Sequence, residues 1–434
     1  MKSQWWAMIL VLNLILSGCI GETIPDLDGD GIEDSEDYDR DGDGWSNDLE
    51  INCTTNPDDS SDIPLDLDED NICDLLDEDA DGDGWSNDLE LECQSSAYNS
   101  SVNPMDFDND GICNYLDDDI DGDKLPNNWE SERNFDPLDP EDAMICQGRS
   151  EYCLRSYDDF TFPETHNAYS AAEEGVVLGV NHYTGLQAQW DGGIRAFMLD
   201  THHVNDEDND AEDVRFCHGS PGQFPHPCLY SEINAFEWLS LLNTLMNSTN
   251  EGCSTVCGDV VTLLIENYVP ADHLEYLFNE TGMYDRIYIH QLGDNWPDIG
   301  DLILMGKDLV VFWEQTGNQS YPWLHDFGEF GWTTNYAEDN PEDMECTVHR
   351  GDGSQPVWHL NNWLKSMFGV ADPYRSEEVN DYDFLLNRSI ECWEIMDNRP
   401  TFVAVDYWED GEVTNVTITL NKMENWDDII PPHP

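Results

Sequence analysis

Two patterns of apolar and polar positions divide the chain. From about Ser156 onward, short β-rich apolar runs recur: Ile194–Leu199, Val260–Ile265, Arg286–His290, Leu309–Trp313 and Phe402–Asp406. Between them, Ile233–Met246 and His273–Phe278 place apolar residues at helical spacing. Strand and helix alternating over about 270 residues predict a parallel α/β domain, and that length suits a (β/α)8 TIM-type barrel.

Residues 26 to 130 follow a different rule. Aspartates recur at alternate positions, and the segment Asp39-Arg-Asp-Gly-Asp-Gly-Trp-Ser-Asn-Asp-Leu-Glu50 returns 40 residues later as Asp79 to Glu90. A decayed copy runs from Asp119 to Glu130, and sister loops precede the three copies at Asp26–Asp37, Asp66–Asp77 and Asp106–Asp117. Calcium takes six to eight oxygens at roughly 2.3–2.6 Å, supplied in a twelve-residue loop from positions 1, 3, 5, 7, 9 and 12. The first copy offers Asp39, Asp41, Asp43, the Trp45 carbonyl, Asn47 and Glu50, and the second Asp79, Asp81, Asp83, Trp85, Asn87 and Glu90. Gly44 and Gly84 stand at position 6, where the loop turns sharply. Lys124 replaces that glycine in the third copy, which predicts a weaker or lost site. Loops packed nearly end to end leave no room for the flanking helices of an EF-hand. The arrangement resembles thrombospondin type 3-like calcium repeats, and the resemblance implies paired loops wrapped around a string of ions.

Charge and cysteines narrow the compartment and the ligands. Acidic residues number 94 against 16 basic, a net charge of −78, which excludes phosphate-rich nucleic acid as a partner. Lys2 and the apolar run Ala7–Leu16 read as an export signal too short to span a bilayer comfortably. The run ends in Leu16-Ser17-Gly18-Cys19, which resembles the lipobox of prokaryotic lipoproteins and implies a lipidated Cys19 at the membrane. This gives a signal peptide at residues 1–18, repeats at 19–145 and a barrel at 146–434. Of 13 cysteines, 12 remain, an even number suited to disulfides in an oxidising compartment. Order along the chain suggests Cys53–Cys73, Cys93–Cys113, Cys146–Cys153, Cys217–Cys228, Cys253–Cys257 and Cys346–Cys392, although connectivity stays open. No cysteine spacing fits a zinc site.

Polar residues close several expected strands, where a barrel keeps its chemistry. His166 and Asn167 follow Phe162–Thr165, Asp200 closes Gly193–Leu199, His218 lies in Cys217-His218-Gly219, Glu266 closes Val261–Ile265 and Asp406 closes Phe402–Val405. Two histidines among hard oxygen donors suit phosphodiester cleavage: one removes a hydroxyl proton, the other protonates the leaving oxygen, and a cation offsets charge on phosphate.

The motifs THNAYS, GIRAFMLD, CHG, LLIENYV and WPDIGDLI followed by LVVF resemble the X-type catalytic barrel of phosphatidylinositol-specific phospholipase C, over roughly residues 156 to 420. The closest resemblance is to the secreted PLC-like phosphodiesterases. It implies His166 as general base toward an inositol 2-hydroxyl, His218 as general acid, and Asp406 as the aspartate that orients the base. It also implies Asn167, Asp200 and Glu266 as ligands of a catalytic calcium. Two departures stand out. Met198 occupies the place of a further acidic ligand, and Asp200 stands where the metal-independent branch carries arginine. The expected activity is therefore calcium-assisted hydrolysis of inositol phospholipids or related phosphodiesters. Alternatives are a catalytically weak, calcium-stiffened adhesin and a glycerophosphodiester phosphodiesterase. His349-Arg350-Gly351 resembles the opening motif of the last group, but it falls late in the chain without acidic partners and reads as loop. The stretch Trp323–Trp332 fits core packing better than a membrane-touching rim. Sequons at Asn247 and Asn415 permit glycosylation.

Overall fold

The computed structural model describes residues 24–204, 210–219, 226–229, 232–249, 253, 255–314, 320–336, 338–367 and 369–434. The export signal and Cys19 lie outside the described residues. Contacts divide the chain into a unit ending at Asp121 and a unit Gly122–Pro434.

In the N-terminal unit each strong loop runs directly into a helix of six residues, α1 (Asn47–Asn52) and α2 (Asn87–Glu92). Ser46 and Ser86 cap these helices by accepting the Leu49 and Leu89 N–H groups at 3.2 and 3.3 Å. Gly44 and Gly84 adopt φ of +104° and +99°, the left-handed turn that position 6 requires. A Cβ on Gly42 or Gly82 would lie 2.8 Å from Asp28 or Asp68 of the sister loop, so paired loops are in van der Waals contact. The disulfides Cys53–Cys73 and Cys93–Cys113 tie the end of each helix to the next sister loop. The other four pairs suggested by chain order are also bonded.

The last repeat helix, α3 (Asn127–Arg133), falls in the C-terminal unit. Lys124 ahead of it holds φ at +81°, so the loop keeps its turn without glycine. Leu125 and Trp129 are buried in the same cluster as Phe162, Phe312 and Phe402, and the Arg133 fork grips Asp301 at 2.9 and 3.1 Å.

Eight parallel strands form the frame of this unit: β1 (Phe162–Thr165), β2 (Ala196–His203), β3 (Val261–Asn267), β4 (Leu309–Trp313), β5 (His325–Asp326), β6 (Gly331–Thr333), β7 (Val357–Asn362) and β8 (Phe402–Val405). Their order in the sheet is β6-β7-β8-β1-β2-β3-β4-β5, the cyclic order of a barrel in which the last strand pairs with the first. Helices fill the connections, among them α4 (Leu186–Asp191), α5 (Ala235–Ser248), α6 (Ala271–Glu280), α7 (Ile299–Leu304) and α8 (Phe327–Phe330). The C-terminal part adds α9 (Ser376–Asn380), α10 (Tyr382–Met396) and α11 (Val413–Asn421). The apolar faces of α5 and α6 share one core with the strands, with Leu239, Leu242, Leu274 and Phe278 in the same cluster as Leu263 and Val311.

The mixed α/β class holds, but the ring of hydrogen bonds expected of a closed barrel has a seam. Among the described residues β5 and β6 do not pair. The free edge of β6 is taken instead by an antiparallel hairpin strand, with Thr333 opposite Arg350 and Trp332 opposite Gly351. Arg350–Gly351 is therefore part of the sheet, against the loop expected for it. The expected strand at Arg286–His290 is reduced to one bridge, Ile287 to Leu309, because β5 claims the same edge of β4 from Phe312 onward. Trp323 and Trp332 are each only 1% exposed, as core packing requires.

The hairpin depends on a glycine. A Cβ on Gly351, at φ +93°, would lie 2.2 Å from the Gly331 carbonyl oxygen. Gly351→Ala is expected to destabilise the protein by about 2–3 kcal/mol in urea titration, the scale of a strained backbone site. A midpoint equal to wild type would contradict this packing.

Candidate active site

The carboxyl ends of the strands bring the expected residues together. His166 follows β1 and Asp406 follows β8, and pairing of Val405 with Thr165 sets the two side by side despite 240 residues between them. His166 Nδ1 donates to Asp406 Oδ1 at 2.9 Å, and Asn181 Nδ2 donates to the same oxygen at 2.6 Å. Asp406 is buried, so its charge is directed at few partners. Because Nδ1 carries the proton, His166 Nε2 keeps its lone pair, the state of a general base.

One further contact holds the imidazole, and others hold the backbone around it. Trp363 stacks flat on it, with centroids 4.1 Å apart and planes at 5°. His182 donates from Nε2 to the His166 carbonyl at 2.8 Å, and burial keeps His182 below its usual pKa and neutral. The segment carrying Asn181 and His182 is fastened to the end of β8 through Tyr407, whose N–H and hydroxyl bond the Asn181 and Val180 carbonyls at 2.7 and 2.6 Å.

His218 comes from another direction, on the loop after a short strand (Val214–Phe216) paired with β2, and the Cys217–Cys228 disulfide sits beside it. Asn167 lies between the two histidines, its Nδ2 at 3.2 Å from His166 Nε2 and 2.9 Å from His218 Nδ1. Burial first, then the nearby His166, lowers the His218 pKa. Gly179, Met198 and Trp363 line the same cavity, of about 290 Å³, together with both histidines and Asp406.

Asp200 and Glu266 are register partners on β2 and β3, and Glu314 follows β4 in the next place along this row. Burial, then the Glu266 carboxylate, pushes the Asp200 pKa well up. Tyr268 donates its hydroxyl to Glu266. Glu314, also raised by burial, is gripped by Arg350, with Nη1 to Oε2 at 2.7 Å. Arg350 Nε is buried in the same place without a partner. The sequence reading missed Glu314, Arg350, Lys365, Asn181 and Trp363, all of which line the cavity. Only the His-Arg-Gly motif drew attention to any of them, and its place late in the chain hid that β6 carries it to the mouth.

The two sets of expected metal ligands differ in character. In the first loop Asp39, Asp41 and Asp43 converge, and in the second Asp79, Asp81 and Asp83. Glu50 and Glu90 are fully buried, and burial followed by repulsion from Asp41, Asp43 and Asp39 pushes Glu50 up to about 7. Both Glu50 oxygens, both Asp81 oxygens and Asp41 Oδ2 are buried with no hydrogen-bond partner. Buried orphan carboxylate oxygens in loops whose aspartates converge fit a hard divalent cation. Asn47 and Asn87 also brace the loop backbone: their carbonyls accept the Arg40 and Ala80 N–H groups, and their amides donate to the Asp37 and Asp77 carbonyls. In the C-terminal unit, Asp200 and Glu266 are hard donors in register, while the Met198 thioether has little to offer calcium.

A family model described as PI-PLC X 1 matches residues 152–421. The chain is 27% identical over 298 residues to PI-PLC X domain-containing protein 1 of Arthroderma benhamiae, covering 64% of this chain and 90% of that protein. It is 24% identical over 311 residues to an uncharacterized secreted protein of the same species, spanning 65% of each. The phosphatidylinositol-specific phospholipase C from Listeria monocytogenes superposes with a TM-score of 0.40 at 11% identity, over 61% of this chain and 94% of that one.

A raised Asp200 pKa binds a proton more tightly in the folded than in the unfolded chain. Its stabilising contribution is full below the usual carboxylate range and is lost as pH rises through the folded value. In chelator, the urea midpoint of wild type is expected to fall more between about pH 5 and about pH 8 than that of Asp200→Asn. Equal slopes for the two proteins would contradict the burial argument.

Proposed function

Because the chain belongs to the PI-PLC X family, we propose that it is an exported phosphoric diester hydrolase that cleaves inositol phospholipids or closely related phosphodiesters. The observation that carries this reading is the pair of imidazoles in one cavity, one of them backed by a buried aspartate. His166 Nε2 accepts the proton of a substrate hydroxyl next to the phosphate, and Asp406 stabilises the imidazolium that forms. The oxygen attacks phosphorus and His218 donates a proton to the departing lipid alcohol. Arg350, on the wall of the same cavity, suits the phosphate or the headgroup. Calcium bound by Asp200, Glu266 and the Asn167 carbonyl would offset charge on the phosphate.

A lipid surface is the natural source of substrate. Val177 and Leu178 next to Gly179 are 68% and 58% exposed, and Met367 and Tyr374, close in the chain to Val370 and Ala371, are 90% and 93% exposed. Gly179, Val370 and Ala371 line the cavity, so these exposed apolar side chains lie within a few residues of its lining. The likeness to a protein described as secreted supports export, and the lipobox-like Cys19 supports a lipid tether. Between Cys19 and the barrel the thrombospondin type 3-like loops bind calcium as a spacer, supported by the orphan oxygens of Glu50 and Asp81.

The two histidines separate by leaving group. With a phosphodiester of phosphatidylinositol, His166→Ala and His218→Ala are each expected to lower kcat by about 10²–10⁴-fold. With a nitrophenyl leaving group, which departs without a proton, only His166→Ala retains a loss of that size. Equal losses for both variants on both substrates would contradict the assignment. For the loops, chelator is expected to speed protease cleavage within residues 26–121, and added calcium to reverse it. Identical cleavage rates would remove calcium from the account.

A further inference from the structure

Away from the cavity, two other imidazoles face each other. His203 closes β2, and His273 stands in the first turn of α6. His203 Nε2 lies 3.2 Å from His273 Nδ1, with the rings at 79° and their centroids 5.1 Å apart. Neither residue lines the cavity that holds His166 and His218. Imidazole nitrogens bind zinc at about 2.0–2.1 Å, so two of them on one tetrahedral ion stand roughly 3.3 Å apart. The observed spacing fits that value. A hydrogen bond between two neutral rings fits it as well, but the surroundings favour a cation.

Rigid elements hold both donors. Pairing of His203 with Val214 fixes the end of β2 to the short strand Val214–Phe216, and His203 is only 8% exposed. Beside His273, Leu274 is buried in the same core as Leu263, which sets the face that α6 turns inward. His273 itself is half-buried, so water can complete the coordination of an ion. Acidic charge surrounds the pair. The Asp213 and Asp210 carboxylates, on the turn Ala211–Asp213 and directly before it, both act on the His203 ring. Tyr276 of α6 holds this turn, its hydroxyl donating to Glu212 at 3.3 Å. A cation between the rings gains from these carboxylates, whereas two neutral rings do not.

We propose that His203 and His273 form a binding site for a divalent transition-metal ion such as zinc, separate from the active site and from the calcium loops. Imidazole suits zinc, copper and nickel, while calcium takes oxygen, so the two classes of ion do not compete for it. The ion clamps the end of β2 and the turn Ala211–Asp213 to α6. That clamp steadies the segment that continues through Val214–Phe216 to His218. The site stands whether or not the chain is a phosphodiesterase.

Zinc titrated calorimetrically into the full chain, in excess calcium, tests this. The chain carries His166→Ala and His218→Ala, so that the cavity imidazoles do not contribute, and it is expected to bind one zinc ion. His273→Gln, added to it, keeps a group able to bond His203 but removes the imidazole. It is expected to weaken zinc by about 10-fold or more, the least that loss of even a ligand's hydrogen-bond partner costs a metal site. With copper in place of zinc, electron paramagnetic resonance is expected to show coupling to two imidazole nitrogens, and to one in His273→Gln. No zinc binding in calcium overturns the proposal, as does equal affinity with and without His273→Gln. A copper spectrum without nitrogen coupling, or one that His273→Gln leaves unchanged, overturns it independently of any effect of the variant on folding.

Discussion

The parallel pairing of the last strand with the first is the constraint on which the site depends. It joins Phe402–Val405 to Phe162–Thr165 and so places Asp406 beside His166. The residues between them form the other strands of the same sheet, and their carboxyl ends supply Asp200, Glu266 and Glu314 in a row. With the ladder closed at β8–β1, the seam can fall elsewhere without disturbing the contact between His166 and Asp406. It falls between β5 and β6, where the Arg350 hairpin enters and carries a cation into the cavity.

Negative charge is the second organising force. A chain with a net charge of −78 must separate or neutralise its carboxylates wherever they crowd. The C-terminal unit does this locally, through burial that favours the protonated Asp200 and an Arg350 fork on Glu314. In the N-terminal loops Glu50 and Asp81 instead keep buried oxygens without any hydrogen bond. The proposal of calcium in the loops follows from this difference, because burial without compensation is what an ion would relieve.

Much of this was legible in the sequence, and the reason is periodicity. The strands β2, β3, β4 and β8 begin and end within a few residues of their apolar runs, and the six disulfides follow chain order. Short elements were not legible. β5 and β6 have two and three residues, too few for any pattern, so neither the seam nor the role of Arg350–Gly351 as its edge strand could be read. His166, His218, Asp406 and Asn167 were found because they stand at strand ends or in recognisable motifs. Trp363 and Asn181 were not, because stacking on an imidazole and bonding to a carboxylate are contacts between distant segments that leave no local signature. Asn47 and Asn87 fit a ligand position by spacing, and the bonds by which their amides brace the loop backbone could not be read from it.

The central claim is that paired histidines direct a substrate hydroxyl onto its own phosphate. Phosphorus-31 NMR of phosphatidylinositol incubated with the full chain tests this most directly, because the product records which oxygen attacked. An inositol 1,2-cyclic phosphate appearing first, together with diacylglycerol, is the result the account predicts. Release of phosphatidic acid, or no phosphorus-containing product from this or any other phosphodiester lipid, would contradict it.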